Sequence, residues 1–129
     1  MKINQKIWKQ VILILTDSKE IPFWLSELLR NPLSEVLKMP DLEDVCDGEV
    51  ASPFIERKKI SADYLDFLVR QIESGDRVPD WTVLLKKRFH ALHPYLNSDV
   101  INITFYRKPD SVTVRLDAET YKLVQIEVI

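Results

Sequence analysis

Cysteine is nearly missing from this chain. Cys46 is the single one, which excludes an internal disulfide and a cysteine-built metal cage and fits a reducing compartment. Glycine is almost as scarce, with only Gly48 and Gly75. So few glycines exclude a glycine-rich loop that cradles phosphate, and there is no G-x-S-x-G elbow and no H-E-x-x-H. Long apolar runs are also absent. Val11 to Leu15 follows Lys2, Lys6 and Lys9, but it is short for the core of a signal peptide, and Thr16-Asp17-Ser18-Lys19 offers no small-residue cleavage site. Nothing approaches the roughly 18–20 apolar residues of a membrane span. A cytoplasmic chain that does not engage a membrane is therefore expected. Neither charge dominates: 18 Lys and Arg stand against 20 Asp and Glu, for a net charge of −2. That balance neither demands nor excludes nucleic acid, so the local distribution of charge has to decide.

What is present is an ordinary globular composition. Hydrophobic residues make up 46% of 129 and are spread along the whole length. A chain of this size forms one domain, 1–129, and buries a core without staples. The spacing predicts an α+β fold, with a helical N-terminal two-thirds packed on a C-terminal three-stranded antiparallel meander. Residues 4–15 fit a helix through Ile7, Trp8, Val11, Ile12 and Leu15, although Val11 to Leu15 alone also suits a buried strand. Pro22 suits a first helical turn, followed by the stripe Ile21, Trp24, Leu25, Leu28 and Leu29. A short helix from Leu33 to Met39 is expected between Pro32 and Pro40. Phe54 to Lys59 reads as a short strand or as loop.

The clearest helix covers 62–74. Ser61 is the N-cap, Ile60 staples onto Leu65, and Gly75 follows where a left-handed cap is needed. Its buried face is Tyr64, Leu65, Leu68, Val69 and Ile72. A further helix, 81–92, is capped by Asp80 and buries Trp81, Leu84, Leu85, Phe89 and Leu92 before Pro94 ends it. The last third alternates with period two. Val100 to Arg107, Ser111 to Asp117 and Tyr121 to Val128 are the three expected strands, with Val112, Val114, Leu116, Val124, Ile126 and Val128 facing the helices.

Four features carry possible chemistry. His90 and His93 stand three apart near a helix end, spacing that shares a face. A metal site needs more ligands than that, and a pair of histidines at a helix C-terminus is also favourable as simple charge. Lys86-Lys87-Arg88 follows a turn from Gly75 to Pro79, as a recognition helix would, and Arg77 lies nearby. Three consecutive side chains fan out around a helix, however, and make no single patch. Cys46 lies among acids, which weaken a thiolate nucleophile. The acidic segment itself, Asp41, Glu43, Asp44, Asp47 and Glu49, fails as a calcium loop because Cys46 occupies the position that needs glycine. It reads as a solvated loop or as a docking surface for a basic partner. Trp8, Trp24 and Trp81 each fall on an apolar stripe and are expected in the core.

Taken together, the segment Asp41-Leu42-Glu43-Asp44-Val45-Cys46-Asp47-Gly48-Glu49 and the strands Val112 to Asp117 and Leu123 to Val128 resemble small acidic α+β immunity proteins of bacteria. These include the immunity proteins of contact-dependent growth inhibition systems. The hairpin Val114 to Val128 also looks like hairpins of cystatin-like modules, with Tyr121 near the turn where those often have glycine. The immunity resemblance implies a stoichiometric, non-enzymatic inhibitor that blocks the active site of a cognate toxin domain, often a nuclease. No cofactor and no metal are expected. The expected contacts are Asp41, Glu43, Asp44, Asp47 and Glu49. A nucleic-acid module using Arg77, Lys86, Lys87 and Arg88, and a small hydrolase or nuclease using His90 or His93, are the alternative readings.

Overall fold

A computed structural model of the chain describes residues 5–31, 54–74 and 79–129. Helix α1 runs Gln5–Asp17 and α2 runs Phe23–Arg30. Strand β1, Phe54–Lys59, comes next. The helices α3, Ala62–Glu73, and α4, Pro79–Leu92, follow it. A short 3₁₀ turn over His93–Tyr95 leads to β2, Asp99–Arg107, β3, Asp110–Asp117, and β4, Leu123–Val128. The strands pair antiparallel in the order β1-β2-β3-β4. No helix among the described residues is long and apolar enough to cross a membrane.

The fold is α+β, with two departures from the pattern read in sequence. Among the described residues the sheet has four strands rather than three, because Phe54 to Lys59 pairs with β2 from Phe54↔Thr104 to Lys59↔Asp99. The strand FIERKK lacks the alternation that marks a half-buried strand, since all six of its side chains stand at least partly in water and four carry charge. Such charge suits an edge strand. Helices and strands are also interleaved, since β1 separates α2 from α3.

Each helical pair covers a different face of the sheet. On the first face, Ile7, Trp8, Val11 and Leu15 of α1 and Trp24 and Leu25 of α2 pack on Ile101, Ile103, Phe105, Val112, Val114 and Leu116. The 3.6-residue repeat of the helices and the period-two repeat of the strands meet there. Trp8 lies against Phe105 with ring centroids 6.2 Å apart. The ambiguous segment is therefore helix from Gln5 onward, and its apolar stripe faces the sheet. Trp8 and Trp24 are buried and Trp81 is half-buried, as the stripes suggest. On the second face, α3 and α4 form a hairpin whose Leu65, Leu68, Leu85 and Leu92 cluster with Ile60 and Val100. Val124 joins this cluster rather than the first one. A register shift between Arg115 and Leu116 leaves Val124 as the extra residue of a bulge, so it turns to the opposite face from Ile126.

Local chemistry fixes the ends of these elements. The Ser61 hydroxyl accepts from the Tyr64 backbone N–H at 3.2 Å, and Ile60 and Leu65 share the second core. Helix α4 starts at Pro79 rather than after Asp80, since proline is tolerated in a first turn. The predicted helix from Leu33 to Met39 and the cap at Gly75 lie outside the described residues. The β3–β4 turn solves its want of glycine in another way. Tyr121 adopts φ 59°, and the Asp117 carboxylate accepts from the Glu119 and Thr120 N–H groups at 2.8 and 3.2 Å. The left-handed residue is unfavourable for tyrosine. Asp117 offsets that cost, and its own backbone brackets the turn through Asp117 N–H to Lys122 and Tyr121 N–H to Asp117.

Two substitutions test this account by urea titration. Leu15→Ala, at a fully buried site, is expected to cost about 2–5 kcal/mol, whereas Leu13→Ala on the exposed face of the same helix should stay within about 0.5 kcal/mol. Asp117→Ala is expected to cost about 1–3 kcal/mol through the two turn bonds it removes.

Candidate functional site

The second face of the sheet is polar by register. Thr104 pairs with Thr113, which pairs with Glu127; Asn102 pairs with Arg115, which pairs with Gln125. Glu56 stands beside Asn102 on β1. By strand alternation all of these side chains project to the same side. The α3–α4 hairpin covers only part of this face. Between hairpin and sheet lies a cleft of about 350 Å³, walled by Tyr64, Arg88 and Leu92 and floored by residues such as Asn102, Thr104 and Arg115.

An ion-pair network closes the base of the cleft. Arg88 on α4 donates from Nε to Glu127 Oε1 at 2.8 Å and from Nη2 to Oε2 at 3.0 Å. Arg115 on β3 donates from Nη2 to the same Oε2 at 3.0 Å and from Nη1 to Gln125 Oε1 at 3.0 Å. The side chain of Glu127 is 1% exposed, that of Arg115 9% and that of Arg88 15%. Burial works against the charge on Arg88, but the paired Glu127 carboxylate outweighs it. Tyr64 adds to the effect, and the pKa of Arg88 is raised above its ordinary value. Beside this network the Thr104 and Thr113 hydroxyls bond each other at 3.0 Å. The Asn102 Oδ1 is buried in the cleft floor with no partner among the described residues.

The network settles one sequence feature. Of the basic triplet on α4, Lys86 and Lys87 are exposed, while Arg88 turns inward to Glu127. Its guanidinium turns into the cleft toward Glu127 rather than outward to a phosphate backbone. Arg77 lies outside the described residues. His90 and His93 are both exposed and pack on Phe89, with ring centroids 5.9 and 5.4 Å apart. Neither lines the cleft. Among the described residues no three His, Cys, Asp or Glu side chains are grouped to hold a metal ion. Asp41, Glu43, Asp44, Asp47, Glu49 and Cys46 lie outside the described residues.

Arg115 and Glu127 carried no signal as site residues. Each stands between apolar neighbours, Val114 and Leu116, and Ile126 and Val128. That alternation marks them as pointing away from the core face, which is correct, but it reads equally as water-facing. Only the placement of α4 shows that they are covered. Comparison of the chain with protein-family models, with curated proteins and with solved structures found no match.

Removing the central carboxylate leaves two cations facing each other with little water. Glu127→Gln is expected to destabilise the fold by about 3–5 kcal/mol in urea or thermal unfolding, although the side-chain shape is kept. Converting all three members to apolar side chains in Arg88→Met, Arg115→Met, Glu127→Leu is expected to recover most of that loss.

Proposed function

We propose that this chain is a non-enzymatic, protein-binding inhibitor of the immunity kind, one that neutralises a toxin domain by covering its active site. The observation that carries the reading is the clustering of Asp41, Glu43, Asp44, Asp47 and Glu49 within nine residues of a chain whose charges otherwise nearly balance. Such a cluster steers a basic protein into encounter and repels partners of the wrong sign.

Two features of the neighbouring structure support it. The acidic segment ends five residues before Phe54 in the chain. Phe54 opens β1, an edge strand among the described residues, and is 41% exposed. A partner drawn by the carboxylates would meet an aromatic side chain, the kind of residue that anchors interfaces. It would also meet a strand edge whose backbone groups can pair with a strand of its own. The inward turn of Arg88 weighs against the alternative of a nucleic-acid module, since one of the four cations proposed for it is held by Glu127.

The test begins with recovery of the tagged protein from its native host, with and without nuclease treatment. The expected result is one stoichiometric protein partner that survives nuclease. Changing Asp41, Glu43, Asp44, Asp47 and Glu49 to Lys should then slow association at least about tenfold and remove its salt dependence, with thermal stability unchanged. Unchanged affinity would overturn the acidic docking surface. Recovery of nucleic acid in place of a protein would overturn the inhibitor.

A further inference from the structure

The cleft on the second sheet face has a chemistry that the inhibitor reading does not use. By strand register its ionised side chains are Lys58, Arg88 and Arg115 against Glu56 and Glu127, an excess of one positive charge in a chain of net charge −2. Both carboxylates already have cations: Glu127 lies between the two arginines, and Glu56 faces Lys58 Nζ at 3.8 Å. A concave, partly dry wall focuses such an excess. Each guanidinium has five N–H groups, and the bonds to Glu127 and Gln125 use two on each. Planar forks of this kind suit oxyanions.

A second observation is independent of charge. Asn102 Oδ1 is a buried acceptor on the cleft floor with no partner among the described residues. An acceptor in that position costs free energy until a donor reaches it. The cross-strand pairing of Asn102 with Arg115 sets this acceptor beside a cation. A guest that meets both therefore carries a negative oxygen group and, close to it, a hydroxyl or N–H. The volume of about 350 Å³ lies at the low end for ligand sites and suits a small molecule rather than a polymer. Tyr64 and Leu92 supply a wall for a short carbon skeleton.

We propose that this cleft is a binding site for a small organic oxyanion, a phosphate or carboxylate, that bears a hydrogen-bond donor beside its charge. The Arg88 and Arg115 side and Lys58 hold the anion, and Asn102 accepts from the donor. The inhibitor surface at the acidic segment and this cleft are separate claims, and either stands without the other.

The experiment is a ¹H–¹⁵N NMR titration of the whole chain, following the arginine Nε–H and Asn102 side-chain signals. The probes are glycerol 3-phosphate and glycerate, with inorganic phosphate and glycerol as the two halves of the guest. The expected result is saturable shifts confined to the cleft for at least one of the two full probes, with each half binding at least about tenfold more weakly. Whichever full probe binds more tightly identifies the oxyanion. The variant Lys58→Glu changes a side chain at the exposed rim, and Asn102→Asp sets a carboxylate opposite Arg115. Both should weaken binding at least about tenfold while the spectrum stays that of a folded chain. No saturable shift with either full probe at millimolar concentration would overturn the site. So would shifts that persist undiminished in both variants. Equal binding of inorganic phosphate and glycerol 3-phosphate would overturn the role of Asn102.

Discussion

Glu127 stands one residue from the end of β4, at a position that alternation assigns to water, yet its side chain is 1% exposed. A carboxylate in that state requires cations, and they arrive from two different elements. Arg115 comes from the adjacent strand, 12 positions away, and Arg88 comes from α4, 39 positions away. Apolar contacts tolerate sliding of one layer over another, whereas a two-pronged guanidinium–carboxylate pair does not. The position of α4 over the sheet is thus fixed at one point by geometry and along the rest of its length by Leu85 and Leu92. The width of the cleft beside it follows from that point.

The two faces of the sheet divide the work. The first is dry: α1 and α2 bury Val112, Val114 and Leu116 completely, and this face supplies most of the hydrophobic driving force. The second carries hydroxyls, amides and charges, and only its end near Val100 and Val124 is apolar. Strand β3 is covered on both sides, so Thr113 and Arg115 are buried along with Val114 between them. A strand so placed would ordinarily be apolar throughout. Its polar half is tolerable because each member has a partner: Thr113 with Thr104, and Arg115 with Gln125 and Glu127.

Much of this fold was legible from side-chain spacing. The cap at Ser61, the stripes of α1 and α3, and the alternation of β2 and β3 all act through neighbours close in sequence, and such signals survive without knowledge of tertiary structure. Phe54 to Lys59 was harder, because an edge strand owes its structure to β2 rather than to its own pattern. Val124 turned to the other face because a bulge breaks the period that alternation assumes. The cleft was less legible still. Arg88 belongs to a triplet that looks uniformly solvated, and Lys86 and Lys87 are, while the third residue points the other way around the helix. Charge in a sequence shows neither its partner nor its burial, and both are set by contacts tens of residues apart.

The pairing of β1 has a consequence for the order in which the chain gains structure. Strands β2, β3 and β4 follow one another through short turns, so their registers form by closing small loops. Strand β1 joins the same sheet only across the whole α3–α4 hairpin, with Arg57 meeting Asp99 42 positions away at 2.7 Å. The entropy of loop closure rises with the length enclosed, and non-local pairings of this kind are the slow ones in folding. Loop closure thus favours the meander first, with the edge strand β1 joining it later. Amide hydrogens of β1 should exchange with solvent through partial openings that leave β3 closed, so one rim of the cleft is less protected than its floor.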